Sequence, residues 1–260
     1  MPNKRLTHFS LFTGIGGIDL AAEWAGFESV GQCEWADYPT KVLEKHWPDV
    51  PRWRDVRDVT DESIQERGIE EVTLLSGGFP CQPHSLAGRR KASADERDLW
   101  GEFARIICEV RPKWVLGENV PGLLSSENGR FFGRILRDLD EMGYSVEWCC
   151  FPAHTVGAVF SRTRVFIIAS PHCNGLQRDL QKSFKTHEPH SIQRPPSENI
   201  RAALSLWNGE VTNTNGIRIS NGIPNWMDRL KCLGNAVVPQ QVYPILKCIA
   251  DIERGQEETG

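Results

Sequence analysis

An α/β fold built on a mostly parallel, doubly wound sheet is predicted by three features of this sequence. Strand and helix patterns alternate through the first two thirds of the chain, and the predicted strands run into loops rich in glycine and proline. Periodicity then breaks down from Pro171 to about Asn225 and returns near Leu230. Phe9-Ser10-Leu11-Phe12 reads as the first strand, followed by Thr13-Gly14-Ile15-Gly16-Gly17 and a helix from Ile18 to Trp24 closed by Gly26. Ser29 to Cys33 reads as the second strand, and Thr40 to Trp47 as a helix stopped by Pro48. Val72 to Leu75 is a third strand. Leu99, Phe103, Ile106, Ile107 and Val110 then keep helical spacing up to Pro112. Trp114 to Leu116 is the next strand, and Phe131, Ile135, Leu139 and Met142 mark a helix closed by Gly143. Ser145 to Phe151 and Val165 to Ala169 are two further strands, and Pro239 to Ala250 is a last helix.

The chain divides accordingly into residues 1–170, an irregular stretch 171–229 rich in Asn, Ser, His, Pro and Gly, and a C-terminal segment 230–260. A chain of 260 residues with 40% hydrophobic and 25% charged residues can bury a large core. Its eight cysteines include no CxxC pair and no Cys/His grouping with zinc spacing, so no metal is expected. The sequence shows no charged-then-apolar leader and no apolar run of membrane length, which leads to the expectation of a cytoplasmic protein with reduced thiols. Net charge is −4, yet the 171–229 stretch carries seven Lys/Arg against five Asp/Glu. That mild positive excess permits local phosphate contacts.

Five constellations carry chemistry. The loop Gly14-x-Gly16-Gly17 lies between a strand and a helix, where backbone can approach a nucleotide-like ligand. Glu34 ends the next strand twenty positions after Gly14, where a ribose acceptor belongs. Trp35 can lie against an adenine ring and Asp55 can accept from its amino group, so the three together suggest an adenosine pocket. Cys81, in Gly77-Gly78-Phe79-Pro80-Cys81-Gln82, follows a strand on a Gly/Pro loop and so presents its thiol at the edge where open α/β sheets bind ligands. Glu118-Asn119-Val120 lies just past another predicted strand end. Arg162-Thr163-Arg164 puts two guanidinium groups on one strand face, and Leu233-Gly234-Asn235-Ala236-Val237-Val238-Pro239 reads as a tight turn before the last helix.

In their order these motifs resemble those of the cytosine-5 DNA methyltransferases. Phe12-Thr13-Gly14-Ile15-Gly16-Gly17, Glu34-Trp35, Asp55-Val56, Gly78-Phe79-Pro80-Cys81-Gln82, Asp98-Leu99-Trp100, Glu118-Asn119-Val120, Arg162-Thr163-Arg164 and Gly234-Asn235-Ala236-Val237-Val238-Pro239 run from one end of the chain to the other. Two departures stand out. Val159-Phe160-Ser161 replaces the glutamine expected ahead of the two arginines, and the stretch before Gly234 is short for the family.

The resemblance implies the S-adenosylmethionine-dependent methyltransferase fold, with the last helix packed beside the first glycine loop. It implies S-adenosylmethionine as cofactor, contacted by Phe12, Gly14, Ile15, Gly16, Gly17, Glu34, Trp35, Asp55, Val56, Pro80, Leu99, Asn235 and Val237. It also implies methyl transfer to carbon 5 of a cytosine flipped out of double-stranded DNA, with Cys81 as the nucleophile. Glu118 would bind the N3 edge of the base and Arg164 its O2 side, with Arg162 or Arg164 raising the thiolate fraction of Cys81. Gln82, Ser85 and the basic run Arg89-Arg90-Lys91 would belong to a loop closing on DNA. Arg194, Arg201 and Arg218 in the 171–229 stretch are expected to read base edges. A monomer acting with or without a separate restriction endonuclease is expected. A structured RNA substrate and a non-catalytic adenosyl-binding regulator are the alternative readings.

Overall fold

The computed structural model describes residues 5–80, 99–158, 162–171 and 226–255. Cys81, Gln82, Ser85, Arg89, Arg90, Lys91, Arg194, Arg201 and Arg218 lie outside the described residues, as does almost all of the expected recognition stretch. The described elements are β1 (Thr7–Leu11), α1 (Gly17–Ala25), β2 (Glu28–Cys33), α2 (Asp37–His46), β3 (Arg52–Trp53), α3 (Asp61–Gln65), β4 (Leu74–Gly77), α4 (Trp100–Val110) and β5 (Trp114–Asn119). They continue with α5 (Arg130–Glu141), β6 (Tyr144–Pro152), β7 (Thr163–Pro171), α6 (Trp226–Asn235) and α7 (Pro239–Glu253).

Seven strands form one sheet in the order β3-β2-β1-β4-β5-β7-β6. β3 to β5 pair in parallel, and β7 lies antiparallel to both β5 and β6. The expectation of a mostly parallel sheet is met. The carboxyl ends of β1, β2, β4 and β5 and the amino end of β7 therefore share one edge. Strand residues alternate between two cores, as the pleat requires. Leu75, Val115 and Ile167 face Phe103, Ile106, Ile135 and Leu139 of α4 and α5. Leu74, Leu116, Phe166 and Ile168 face Ile18, Ala22, Leu246 and Ile249 of α1 and α7.

Helix α1 buries Ile18, Ala21, Ala22 and Ala25, the i, i+3, i+4, i+7 stripe of an amphipathic helix. Its small alanines let α7 lie close, and Gly26 ends it in the left-handed region at φ 88°, donating to the carbonyls of Ala22 and Glu23. The last helix thus packs beside the first, as the resemblance implies.

Several boundaries differ from the sequence reading. Helix α2 begins at Asp37 and carries Pro39 in its first turn, where a missing N–H costs nothing. Strand β5 runs on through Glu118 and Asn119, because β7 pairs Phe166 with Glu118 and Val165 with Asn119. Glu118 is thus fixed within a strand and does not lie past its end. The stretch read as a tight turn at Leu233 is instead the last turn of α6, and only Ala236, Val237 and Val238 connect it to α7.

Candidate active site

The shared strand edge opens into a cavity of about 760 Å³, within the range of small-molecule sites. One end is built on the glycine loop. Thr13 pins that loop to β2, its N–H and its hydroxyl both donating to the Cys33 carbonyl at 3.0 Å. The Gly14 N–H then donates to Glu34 Oε2 at 2.7 Å, and the Ala36 N–H to Glu34 Oε1 at 2.8 Å. A single carboxylate therefore ties the glycine loop to the start of α2. Trp35, beside it on the cavity wall, is 71% exposed and presents an apolar ring to the cavity.

The fit to an adenosyl ligand rests on these features. Gly14 holds φ +59°, lines the cavity, and a Cβ there would meet no atom within 4 Å, so the loop leaves open space for a ligand. Phe12, Ile15, Gly17, Pro80, Asn235 and Val237, for which the resemblance implies cofactor contact, also line the wall. Gly16, Asp55, Val56 and Leu99 are not on that wall. A Cβ on Gly16 would fall 2.5 Å from the Trp47 ring, so this glycine serves packing. Asp55 Oδ1 accepts from the Arg57 N–H at 3.0 Å and caps a short 3-10 turn that buries Val56, and Leu99 packs against the core. On this geometry Glu34→Ala should weaken binding of S-adenosylhomocysteine by about 1–3 kcal/mol, and Asp55→Ala by less. Isothermal calorimetry on the two folded variants checks the order.

Asp19 is a wall residue that the sequence reading missed. It is fully buried, and its Oδ1 accepts from Ser10 Oγ and Gln32 Nε2, both at 2.9 Å. Burial pushes its carboxyl up to about 6, against the opposing bonds from Gln32 and Ser10. A carboxyl raised in the folded state gives stability that is fully present below its ordinary value near 4 and lost as pH rises through about 6. Asp19→Asn should therefore gain stability relative to the parent protein between pH 4 and 7, by about 2–3 kcal/mol. Urea denaturation across that range measures it.

At the other end of the cavity Gly78, Phe79 and Pro80 run out of β4 beside Glu118 and Asn119 of β5. A Cβ on Gly78 would come 3.0 Å from Glu118 Oε2, so this glycine lets the carboxylate lie against the backbone leading toward Cys81. Asn119 Nδ2 donates to the Phe79 carbonyl at 2.9 Å and fixes that loop to β5. Arg164 Nε stands 2.6 Å from Glu118 Oε1, with the two side chains only 12% and 9% exposed. Burial raises the Glu118 carboxyl above its ordinary value, while the charges of Arg164 and Arg162 pull it back. Arg162 points elsewhere. Its two terminal nitrogens donate to the carbonyls of Gly234 at 2.5 Å and Ala236 at 2.7 Å.

Two other thiols are poor nucleophiles. Burial pushes Cys33 up to about 12 and Cys149 to about 11. Among the described residues no group of His, Cys, Asp and Glu could hold a metal ion, and no helix is long and apolar enough to cross a membrane.

The chain that carries this site is similar to known methyltransferases. It is 37% identical over 165 residues to the type II methyltransferase M.BsuFI of Bacillus subtilis, covering 63% of this chain and 39% of the relative. It is 33% identical over 190 residues to M.NgoMIV of Neisseria gonorrhoeae, covering 73% and 57%. The chain thus spans about half the length of the curated relatives it matches. Among solved structures, DNMT2 of Spodoptera frugiperda aligns over 94% of this chain and 99% of its own, with a TM-score of 0.62 at 15% identity, a likeness of fold. A DNA modification methyltransferase encoded within an E. coli prophage aligns over 64% of this chain and 47% of its own, with a TM-score of 0.56 at 26% identity. The model of the C-5 cytosine-specific DNA methylases matches residues 6–225, which takes in the glycine loop, Glu34, Glu118 and both arginines, and the chain belongs to that family.

Proposed function

We propose that the protein transfers a methyl group from S-adenosylmethionine to carbon 5 of cytosine in double-stranded DNA, through a covalent bond to Cys81 on a flipped base. The observation that carries this reading is the buried Glu118–Arg164 pair at 2.6 Å, set against the loop that leads to Cys81 in the cavity that also holds the glycine loop. A ring that must accept a nucleophile needs a proton or positive charge at its far side, and this pair offers both.

Carbon 5 of cytosine is a weak nucleophile. Addition of the Cys81 thiolate to carbon 6 converts the ring to an enamine in which carbon 5 is electron-rich. Glu118, its carboxyl raised by burial, donates a proton toward N3 as the sulfur adds, and Arg164 holds the O2 side. Bound against Phe12, Gly14, Glu34 and Trp35, S-adenosylmethionine supplies the methyl group that carbon 5 receives. Loss of the carbon 5 proton to a base then expels the Cys81 thiolate, and N3 returns its proton to the Glu118 carboxylate, which restores the neutral aromatic ring. In a duplex carbon 6 lies inside the stack, so the base leaves the helix at a cost of about a few kcal/mol. Gln82 or Ser85 would serve the vacated place in the stack, and Arg89, Arg90 and Lys91 the phosphates. The 171–229 stretch, with Arg194, Arg201 and Arg218, sets sequence preference.

Bisulfite sequencing of both DNA and RNA from cells expressing the chain tests the reading. Protected cytosines in one short DNA motif are expected, and alanine at Arg194, Arg201 or Arg218 should relax or move that motif. Methylation confined to RNA, or none in either, would overturn the DNA assignment.

A further inference from the structure

Gln241 sits on the first turn of α7, fully buried, and is absorbed by no part of the reaction described above. Its Nε2 donates to the carbonyls of Phe151, at the end of β6, and of Arg162, at the entry to β7, the latter at 2.9 Å. The Arg162 carbonyl also accepts from the Ala153 N–H at 2.9 Å, so its two acceptor sites are filled. In the opposite direction the Arg162 guanidinium donates to the carbonyl of Gly234, in the last turn of α6, and to that of Ala236, on the connector to α7. Two side chains thus cross in opposite directions, Gln241 holding the carbonyls of Phe151 and Arg162 and Arg162 holding those of Gly234 and Ala236.

What they join is informative. On one side, Asn235, Ala236 and Val237 line the cavity, and the Val237 carbonyl lies 2.5 Å from where a Cβ on Gly17 would stand, so the connector abuts the glycine loop's helix. On the other side, Arg164 lies two residues along β7 and pairs with Glu118. Stability alone does not account for Gln241. Among the described residues its Oε1 is buried without a partner, which costs free energy that an aliphatic side chain of similar size would not incur.

We propose that Gln241 is a positioning residue which, with Arg162, latches the α6–α7 connector to the paired ends of β6 and β7, holding the cofactor end and the base end of the cavity in one register. This rests on the methyltransferase reading above. Through the latch, a cofactor that presses on the connector also sets the strand that carries Arg164.

Gln241→Met keeps the volume and removes both donors, and Gln241→Asn retains the amide one methylene short of its partners. Each is compared with Arg162→Met and with the Gln241→Met/Arg162→Met double variant. Melting temperature reports folding, calorimetry reports affinity for S-adenosylhomocysteine, and tritium transfer to unmethylated plasmid DNA reports the rate at saturating cofactor. The latch predicts that Gln241→Met weakens cofactor binding about fivefold to tenfold and also slows transfer at saturation about tenfold. Arg162→Met should do the same, and the double variant should be no worse than the worse single, because either change opens the same latch. A folded Gln241→Met, or Gln241→Asn where the first does not fold, with wild-type affinity and rate would overturn the proposal. So would fully additive losses in the double variant. A parent protein that neither binds S-adenosylhomocysteine nor transfers methyl groups would instead overturn the methyltransferase reading.

Discussion

Cys81→Ser is expected to lower methyl transfer by roughly 10⁴–10⁶-fold, the range seen when an enzyme loses its nucleophile. A serine hydroxyl keeps nearly the shape of the thiol, but it ionises far less readily near neutral pH and adds poorly to carbon 6. Folding and cofactor affinity should survive, because the cavity walls from Phe12 to Trp35 and from Glu118 to Asn119 are built from other residues. Calorimetry with S-adenosylhomocysteine beside a tritium-transfer assay separates the two. The buried Cys33 and Cys149 thiols, raised to about 12 and about 11, are not expected to substitute.

Glu118 carries the second large effect, and two substitutions divide its roles. Glu118→Gln keeps the shape but removes the proton that can reach N3, and should lower kcat by about 10²–10³-fold. Glu118→Ala also leaves the Arg164 charge buried without its partner, which should cost about 3–5 kcal/mol of folding stability. The carboxyl is raised in the folded protein, so its contribution to stability is complete below the ordinary carboxyl range and is lost as pH rises through the raised value. Glu118→Gln should remove that part of the pH dependence. Urea denaturation at several pH values and transfer rates at saturating cofactor give the two measurements.

Much of this site was legible in the sequence, because several of its motifs lie at or just past strand ends that meet at one edge. Glu34, Trp35, Glu118, Asn119 and Arg164 reach the cavity wall for that reason. Residues whose role depends on partners far along the chain were not legible. Asp19 is one acidic residue on an otherwise apolar stripe of α1, and only the fold places Gln32 of β2 beside it. Gln241 stands ninety residues from Phe151, and no local pattern marks that pairing. The antiparallel setting of β7 was hidden too, since strand periodicity says nothing of direction. Short elements such as β3, at two residues, are held by pairing with Gln32 and Cys33 and not by their own propensity. Asp55, matched by motif and spacing, caps a short 3-10 turn and does not line the cavity, a placement that depends on the local turn geometry and not on the motif.

The proposed reaction turns on a covalent bond between Cys81 and carbon 6 of a cytosine. The most direct test incubates the protein with S-adenosylmethionine and duplex DNA carrying 5-fluorocytosine in its target motif. Fluorine at carbon 5 cannot leave as a proton would, so the complex should persist through denaturing electrophoresis. Mass spectrometry should then place the modified base on the peptide containing Cys81. The absence of any denaturant-stable complex on DNA that the protein does methylate, or a label on another cysteine, would contradict the account.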